Sequence, residues 1–261
     1  MTAAAALVPS RVLAPRARLG LLRSGATLLT LLLALPAVAT GEDRFADRRA
    51  AMVREVQAMA RATASETGRT GLAPAVVSVL AKVPRHEFVP PSQADSAYEN
   101  RPLPIGHGQT ISQPYIVALM TDLLEVRPGD VVLEVGTGSG YQAAVLAELA
   151  ERVYTIEIVE PLAREARARL ERLGIRNVVT RVGDGYAGWP DRAPFDGIMV
   201  TAAPDHVPPA LIEQLKPGGR LVIPVGETGT GQSLMIIQKA GDGSVTTRNV
   251  LPVRFVPLTR E

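Results

Sequence analysis

The sequence predicts an α/β fold with a mostly parallel, seven-stranded sheet that has an antiparallel edge and helices at its N-terminal side. Three observations support this prediction. A buried strand, residues 131–135, leads through three alternating glycines into a helical pattern, which is the first unit of a doubly wound sheet. Strand and helix patterns alternate after it. Two strand-like segments then flank a Gly-Asp-Gly turn at residues 241–243, as expected for an antiparallel hairpin.

The individual elements follow from hydrophobic spacing and turn residues. Two N-terminal helices are predicted to cover one end of the sheet, and a loop over residues 61–71 separates them. The stretch 83–114 is rich in proline and glycine, so no regular structure is expected there. The predicted helices are 48–60, 74–83, 115–124, 141–150, 161–173 and 208–215, and the predicted strands are 131–135, 153–156, 178–182, 195–200, 221–225 and two within 233–257.

The first 39 residues have the pattern of a secretory signal peptide. Four arginines precede the first acidic residue, Glu42, a leucine-rich run covers residues 26–35, and residues 37–39 have the small-x-small form of a cleavage site. The apolar run is too short to span a bilayer, which takes ~20 residues. We therefore predict a leader at 1–39 and an exported, periplasmic protein. A mis-annotated start or a retained apolar tail is the alternative.

Composition and charge limit the classes of function. The 261 residues are 46% hydrophobic, which suits one substantial core, so residues 40–261 are predicted to form a single domain with a core from residue 116 onward. The chain has no cysteine, which excludes disulfides and thiolate chemistry. Of its 28 basic and 26 acidic side chains, the leader holds four basic and no acidic ones. We see no basic stripe, and we expect no nucleic-acid partner, no stable membrane association after leader removal, and a monomer.

The spacing of the glycines indicates the ligand. A dinucleotide site places glycines at the first, third and sixth positions, but the sixth position here is Tyr141. The pattern acid-x-Gly-x-Gly-x-Gly instead resembles motif one of the S-adenosylmethionine-dependent methyltransferases, which have a Rossmann-like fold. A glycine turn from another nucleotide-binding fold is the alternative. The candidate cofactor-binding residues are Glu134, Gly136, Thr137, Gly138, Ser139 and Gly140.

Two further strand ends have acidic residues. Glu157 lies 21 residues after Gly136, where a carboxylate accepts hydrogen bonds from a ribose diol. The alternative is a helix-start acid, a role that Glu160 fits better. Asp184 and Gly185 follow the third strand, and we predict that Asp184 faces an adenine. A simple turn is the alternative for Gly-Asp-Gly.

No metal site is predicted. His86, His107 and His206 stand singly, without the spacing of metal ligands, and a structural or surface role is the better interpretation for each. The sequence also shows neither a Ser-His-Asp order nor a pair of catalytic carboxylates.

The proline-rich stretch contains motifs that are typical of one particular family. Residues 83–90 read Val-Pro-Arg-His-Glu-Phe-Val-Pro, and residues 97–114 end in Thr-Ile-Ser-Gln-Pro. Together with the motifs at 133–142, 154–157, 183–185, 218–226 and 256–258, they resemble the protein-L-isoaspartate O-methyltransferase family. The resemblance covers about residues 52–258. The longer linker at 61–71 and the leader depart from the family pattern.

The resemblance implies a repair reaction: transfer of a methyl group from S-adenosylmethionine to the α-carboxyl of L-isoaspartyl residues in damaged proteins and peptides. Ser112 matches the family's active-site serine; without the resemblance it would read as a turn serine. We expect Thr110 and Ile111 to pair with the substrate backbone, and Gln232 to help close the pocket. Methylation of another carboxylate or small molecule, and a binding module without turnover, are the alternatives. The family and the cytosolic source of the cofactor also leave a cytoplasmic location open.

Overall fold

The computed structural model describes residues 43–227, 229 and 231–260. The leader predicted at residues 1–39 lies outside these residues. Within the described part, no helix is both long enough and apolar enough to cross a membrane.

The elements alternate as the sequence predicts, and most boundaries agree within a few residues. The helices are α1 (Ala46–Ala62), α2 (Ala64–Thr67), α3 (Pro74–Lys82), α4 (Pro114–Leu124), α5 (Tyr141–Ala147), α6 (Glu160–Arg172) and α7 (Pro209–Glu213). The strands are β1 (Leu103–Gly106), β2 (Gln109–Ile111), β3 (Val131–Val135), β4 (Arg152–Glu157), β5 (Val178–Val182), β6 (Phe195–Val200), β7 (Leu215–Val225), β8 (Gln232–Lys239) and β9 (Val245–Val253).

The loop predicted over residues 61–71 contains one helical turn, α2, so that prediction was incomplete. The hydroxyl of Thr67 donates to the carbonyl of Thr63 at 3.0 Å, which stabilises the turn. Gly68 ends it with a φ of 70°, a conformation that glycine adopts without strain.

The expectation of no regular structure over residues 83–114 was wrong. Two 3-10 turns, Arg85–Phe88 and Pro91–Ser96, precede an antiparallel hairpin of β1 and β2. Leu103 and Ile105 are buried, whereas Pro104 between them is exposed. This alternation lasts only four residues, too few to stand out among the prolines.

The seven-stranded sheet has the order β5-β4-β3-β6-β7-β8-β9. The pairs from β5 to β7 are parallel, and β8 and β9 are added antiparallel, which confirms the predicted fold class. Strand β7 begins six residues earlier than predicted, because the Pro217–Gly219 turn lies within it as an irregularity in its pairing with β6.

Both faces of the central strands are buried, as is usual for a parallel sheet. On β3, Val132 packs into an apolar cluster that includes residues of α1 and α3–α6. Its neighbours Leu133 and Val135 belong to a second cluster, which includes Leu211 of α7. Successive side chains of a strand point to opposite faces, so the two clusters lie on opposite sides of the sheet. The central strand ends are therefore held rigidly.

Candidate active site

The carboxyl ends of β5, β4, β3 and β6 surround one cleft. The chain leaves β3 and β6 in opposite directions along the sheet, and such a switch point is where α/β folds bind ligands. The segments after these strands line the cleft, together with residues 109–112 and 256–259. The empty space in the cleft measures about 770 Å³ including the open mouth.

The glycine loop after β3 is shaped by left-handed backbone conformations. Gly136, Gly138 and Gly140 have φ values of 99°, 51° and 86°. A Cβ on Gly136 would lie 2.4 Å from Oγ1 of Thr201 at the end of β6. Only glycine satisfies both the conformation and this close approach.

The predicted loop residues have different places in the structure. Gly136, Thr137, Gly138 and Ser139 line the cleft. Gly140 lies outside its lining and precedes α5, with its backbone packed against the side of α6. The part of the loop that a ligand can reach is therefore residues 136–139.

Glu157 lies at the cleft with both carboxylate oxygens held by main-chain donors. Oε2 accepts the N–H of Gly138 at 2.8 Å, and Oε1 accepts the N–H of Val159 at 2.9 Å. A carboxylate offers about four lone-pair directions, so each oxygen keeps one for a ligand hydroxyl. The side chain is thus fixed and still able to accept two hydrogen bonds, which suits a vicinal diol.

Glu134 is placed differently from the other predicted cofactor-binding residues. It is fully buried and does not line the cleft. Its Oε2 accepts a hydrogen bond from Thr155 at 2.5 Å, and Thr155 in turn contacts the hydroxyl of Thr137 at 2.6 Å. Burial raises the pKa of Glu134 to about 8, so this carboxyl is mainly protonated at neutral pH. Glu134 therefore supports the glycine loop indirectly, through the hydroxyl groups of Thr155 and Thr137.

Asp184 and Gly185 meet the cleft at the end of β5. Oδ1 of Asp184 accepts the N–H of Tyr186 at 2.8 Å, which is the turn role considered for this residue. Gly185 lines the cleft and Asp184 does not. A Cβ on Gly185 would lie 2.3 Å from Cγ1 of Val135. The second oxygen of Asp184 makes no hydrogen bond to the described residues, so the adenine contact remains a prediction.

Ser112 lies between the ligand cleft and a second cavity. The second cavity measures about 1070 Å³ including its open part, and residues 252–256 form one of its walls. Thr110, Ser112, Thr201 and Val256 line both spaces. The Ser112 hydroxyl makes no hydrogen bond to any described residue, so it can donate to a ligand in either space.

The candidate substrate residues fall into two groups. Thr110 lines both cavities and Ile111 the first, and their strand β2 is paired only with β1 in the described sheet, which leaves one edge for another extended chain. Gln232 lines neither cavity. Its amide donates to the carbonyl of Phe255 at 3.1 Å and accepts the N–H of Phe255 at 2.6 Å. It therefore holds the wall of the second cavity and does not face it.

Sequence reasoning missed two contributors to the cleft. Thr201 follows β6 directly, and its position after a strand at the switch point could have identified it. The C-terminal segment is held over the cleft by two 2.8 Å bonds with Ala203, which donates to Val256 and accepts from Leu258. No local pattern predicts this pairing. Within the described residues, no group of three or more potential ligands could hold a metal ion.

Comparison with protein families gives a match over most of the chain. The model of the protein-L-isoaspartate(D-aspartate) O-methyltransferase family matches residues 62–261. Protein-L-isoaspartate O-methyltransferase 1 of Cupriavidus necator is 63% identical over 227 residues, covering 87% of this chain and 88% of that protein. Protein-L-isoaspartate O-methyltransferase 2 of Polaromonas sp. strain JS666 is 64% identical over 208 residues, covering 80% and 99%.

Solved structures show the same fold. A protein-L-isoaspartate O-methyltransferase superposes with a TM-score of 0.69 and 30% identity, over 80% of this chain and 65% of that one, just under two thirds of its length. A Plasmodium falciparum protein in complex with S-adenosyl-L-homocysteine superposes with a TM-score of 0.67 and 25% identity, over 81% of this chain and 98% of that one.

Proposed function

The chain belongs to the protein-L-isoaspartate(D-aspartate) O-methyltransferase family, and we propose that its two adjoining cavities hold the methyl donor and the damaged protein on either side of Ser112. The enzyme transfers a methyl group from S-adenosylmethionine to the α-carboxyl of an L-isoaspartyl residue. The position of Ser112 between the two cavities is the observation that supports this assignment of the sites.

The described residues fit the methyl donor. Glu157 presents two accepting oxygens for a ribose diol, and Gly136 and Gly138 bring main chain without a side chain to the cleft. When bound, S-adenosylmethionine supplies an activated methyl group that a carboxylate oxygen can accept without gain or loss of a proton. Thr201 and Val256 line both cavities.

Among the described residues, no pair of an acid and a base contacts the Ser112 hydroxyl, which agrees with this chemistry. A carboxylate substrate is already ionised at neutral pH, so no group has to remove a proton. The work of the protein is then to align the reactants and exclude water, which can lower a barrier by roughly 7–11 kcal/mol. The free hydroxyl of Ser112 would donate a hydrogen bond that orients the carboxylate, and Ser112 need not act as a nucleophile.

The second cavity suits an extended peptide. Strand β2 has an unpaired edge, its residue Thr110 lines the second cavity, and residues 252–256 form one wall of that cavity. Main-chain pairing gives affinity without requiring particular side chains. This supports isoaspartyl sites in many sequence contexts as the substrate class.

Paired peptides test the proposed substrate. The wild-type chain should incorporate labelled methyl groups into an isoaspartyl peptide but not into its aspartyl twin. Equal incorporation into both, or into neither, would reject the proposal and favour a different carboxylate substrate or a binding module without turnover.

We also propose that the chain is exported and works in the periplasm. The support is the leader pattern of residues 1–39. An exported enzyme also requires S-adenosylmethionine outside the cytosol. N-terminal sequencing of the native protein tests the proposal: a start near Thr40 in the periplasmic fraction supports export, and an intact leader in the soluble cytoplasmic fraction contradicts it.

A further inference from the structure

Arg85 is a buried cation beside the candidate active site. It begins a 3-10 turn before β1, and its side chain is fully inaccessible to solvent. No acidic side chain of the described residues pairs with it. Burial lowers the pKa of its guanidinium to about 10, so it stays charged at neutral pH. A buried charge is costly unless hydrogen bonds compensate it, so the contacts of this side chain need an explanation.

The contacts of Arg85 connect two parts of the site. Its Nη2 donates to the main-chain carbonyl of Ser112 at 2.7 Å, and its Nε donates to the carbonyl of Ala97 at 2.8 Å. Its Cζ lies 4.9 Å from the ring centre of Tyr141, the first residue of α5. Ser112 and Tyr141 both line the ligand cleft. One guanidinium therefore bridges residues 112–113, which we call the serine loop, and the helix that follows the glycine loop.

We propose that Arg85 is a positioning residue for methyl transfer. It fixes the main chain of Ser112 relative to Tyr141, and this fixes the position of the substrate carboxylate relative to the methyl donor. This inference rests on the proposed function. Arg85 itself does not line either cavity, so it acts through Ser112.

The serine loop needs such a support. It follows β2, a strand of three residues paired only with β1 in the described sheet. Among the described side chains, Arg85 alone donates to the main chain of Ser112. Charge-assisted bonds of this kind are about twice as strong as neutral ones. A misplacement of ~1 Å at a reacting centre can cost ~10²-fold in rate, so loosening this loop should affect the chemical step.

The test compares Arg85→Met with the wild type. Methionine keeps much of the volume and removes both donated hydrogen bonds. We expect kcat on an isoaspartyl peptide to fall about 10-fold or more, because the serine is no longer held. The affinity for S-adenosylhomocysteine, measured by calorimetry, should change much less. A general loss of structure would lower both together.

Two further variants make the result specific. Arg85→Lys keeps the charge and can donate to one carbonyl, so its kcat should lie between those of the wild type and Arg85→Met. Arg220→Met is the matched control. Arg220 also donates to a main-chain carbonyl, that of Leu123 at 2.7 Å, but it lines a separate cavity with Asp130 and Asp196, near the amino ends of the strands. Its loss should lower the melting temperature and leave kcat unchanged.

The outcomes separate this inference from the proposed function. A folded Arg85→Met variant with wild-type kcat and KM overturns the inference alone. Should Arg85→Met fail to fold, Arg85→Lys decides in the same way, and wild-type kinetics in that variant overturn it. A wild-type chain that methylates neither peptide overturns the proposed function and this inference with it.

Discussion

The main-chain N–H of Gly138 donates to Oε2 of Glu157 across 2.8 Å, which joins the glycine loop after β3 to the acid at the end of β4. Gly138 lines the cleft, and its N–H also fixes the carboxylate that would accept hydrogen bonds from the ligand. The second oxygen is fixed by Val159 in the same way. Loop and carboxylate therefore form one preorganised unit, and a change in either should weaken ligand binding.

Glu157→Gln should weaken the binding of S-adenosylhomocysteine by about 10-fold or more, since hydrogen bonds to a charged group contribute ~1.5–3 kcal/mol. The side-chain amide of the variant would also place its N–H₂ group against the main-chain N–H of Gly138 or Val159, and two donors cannot form a hydrogen bond with each other. Isothermal titration calorimetry measures the change in Kd.

Glu160→Gln is the control for that experiment. Glu160 is exposed in the first turn of α6 and pairs with Arg164, so it has the helix-start role that was the alternative for Glu157. Its substitution should leave Kd within about twofold, because exposed ion pairs contribute little. Equal effects of both substitutions would contradict the ribose role.

Local patterns were sufficient to predict the strand ends. Strand β3 matches residues 131–135, and Glu157 lies at the cleft, because hydrophobic period and motif spacing are properties of adjacent residues. The place of Glu134 could not be predicted in this way. Its side chain faces Thr155 because the parallel register of β3 and β4 sets the two residues side by side, and register is a property of the assembled sheet.

The same limit applies to the contacts of Arg85 and the C-terminal segment. The sequence motif around Arg85 was recognised, but its partner Ser112 lies 27 residues away. The bonds between Ala203 and residues 256–258 span more than 50 residues. Such pairings depend on how the elements pack, which no short stretch of sequence specifies.

Glu134 should give the protein a pH-dependent stability between about pH 4.5 and pH 8. Burial raises its pKa from 4.5 to about 8. Below 4.5 both folded and unfolded chains hold the proton. Between the two values only the folded chain holds it, so the free energy of unfolding falls as pH rises, by up to about 1.4 kcal/mol per pH unit. Above 8 this dependence ends.

Glu134→Gln removes that dependence, because the amide does not titrate, while its oxygen can still accept from Thr155. Urea unfolding of both proteins at several pH values measures the difference. The stability of the variant relative to the wild type should rise steadily from about pH 5 to about pH 8. A difference that is constant over this interval would show that Glu134 is ionised in the folded protein.

Gly185→Ala should destabilise the protein by roughly 1–3 kcal/mol, as overpacking of a core does. The new Cβ would lie 2.3 Å from Cγ1 of Val135, inside the sheet. Ligand affinity should fall as well, because Gly185 lines the cleft. Gly71→Ala is the matched control, since neither glycine has a positive φ and a Cβ at Gly71 meets nothing within 4 Å. Similar unfolding curves for the two variants would contradict the close packing at Gly185.

Ser112→Ala should lower kcat on an isoaspartyl peptide by about 10-fold or more while the Kd for S-adenosylhomocysteine stays within about twofold. The hydroxyl has no bond to a described residue, so its removal leaves no partner unsatisfied, and only the hydrogen bond to the bound carboxylate is lost, which is worth ~1.5–3 kcal/mol for a charged acceptor. Single-turnover kinetics separate this loss from slower product release.

Ser78→Ala tests whether such a loss is specific to the serine between the two cavities. Ser78 is exposed on α3 and lines neither of them, so its variant should keep wild-type kcat and KM. Restoration of part of the activity by Ser112→Thr, which keeps a hydroxyl, would tie the effect to the donated proton. If Ser112→Ala retains full kcat, the carboxylate is oriented by other groups, and Thr110 and Thr201, which line both cavities, are the candidates.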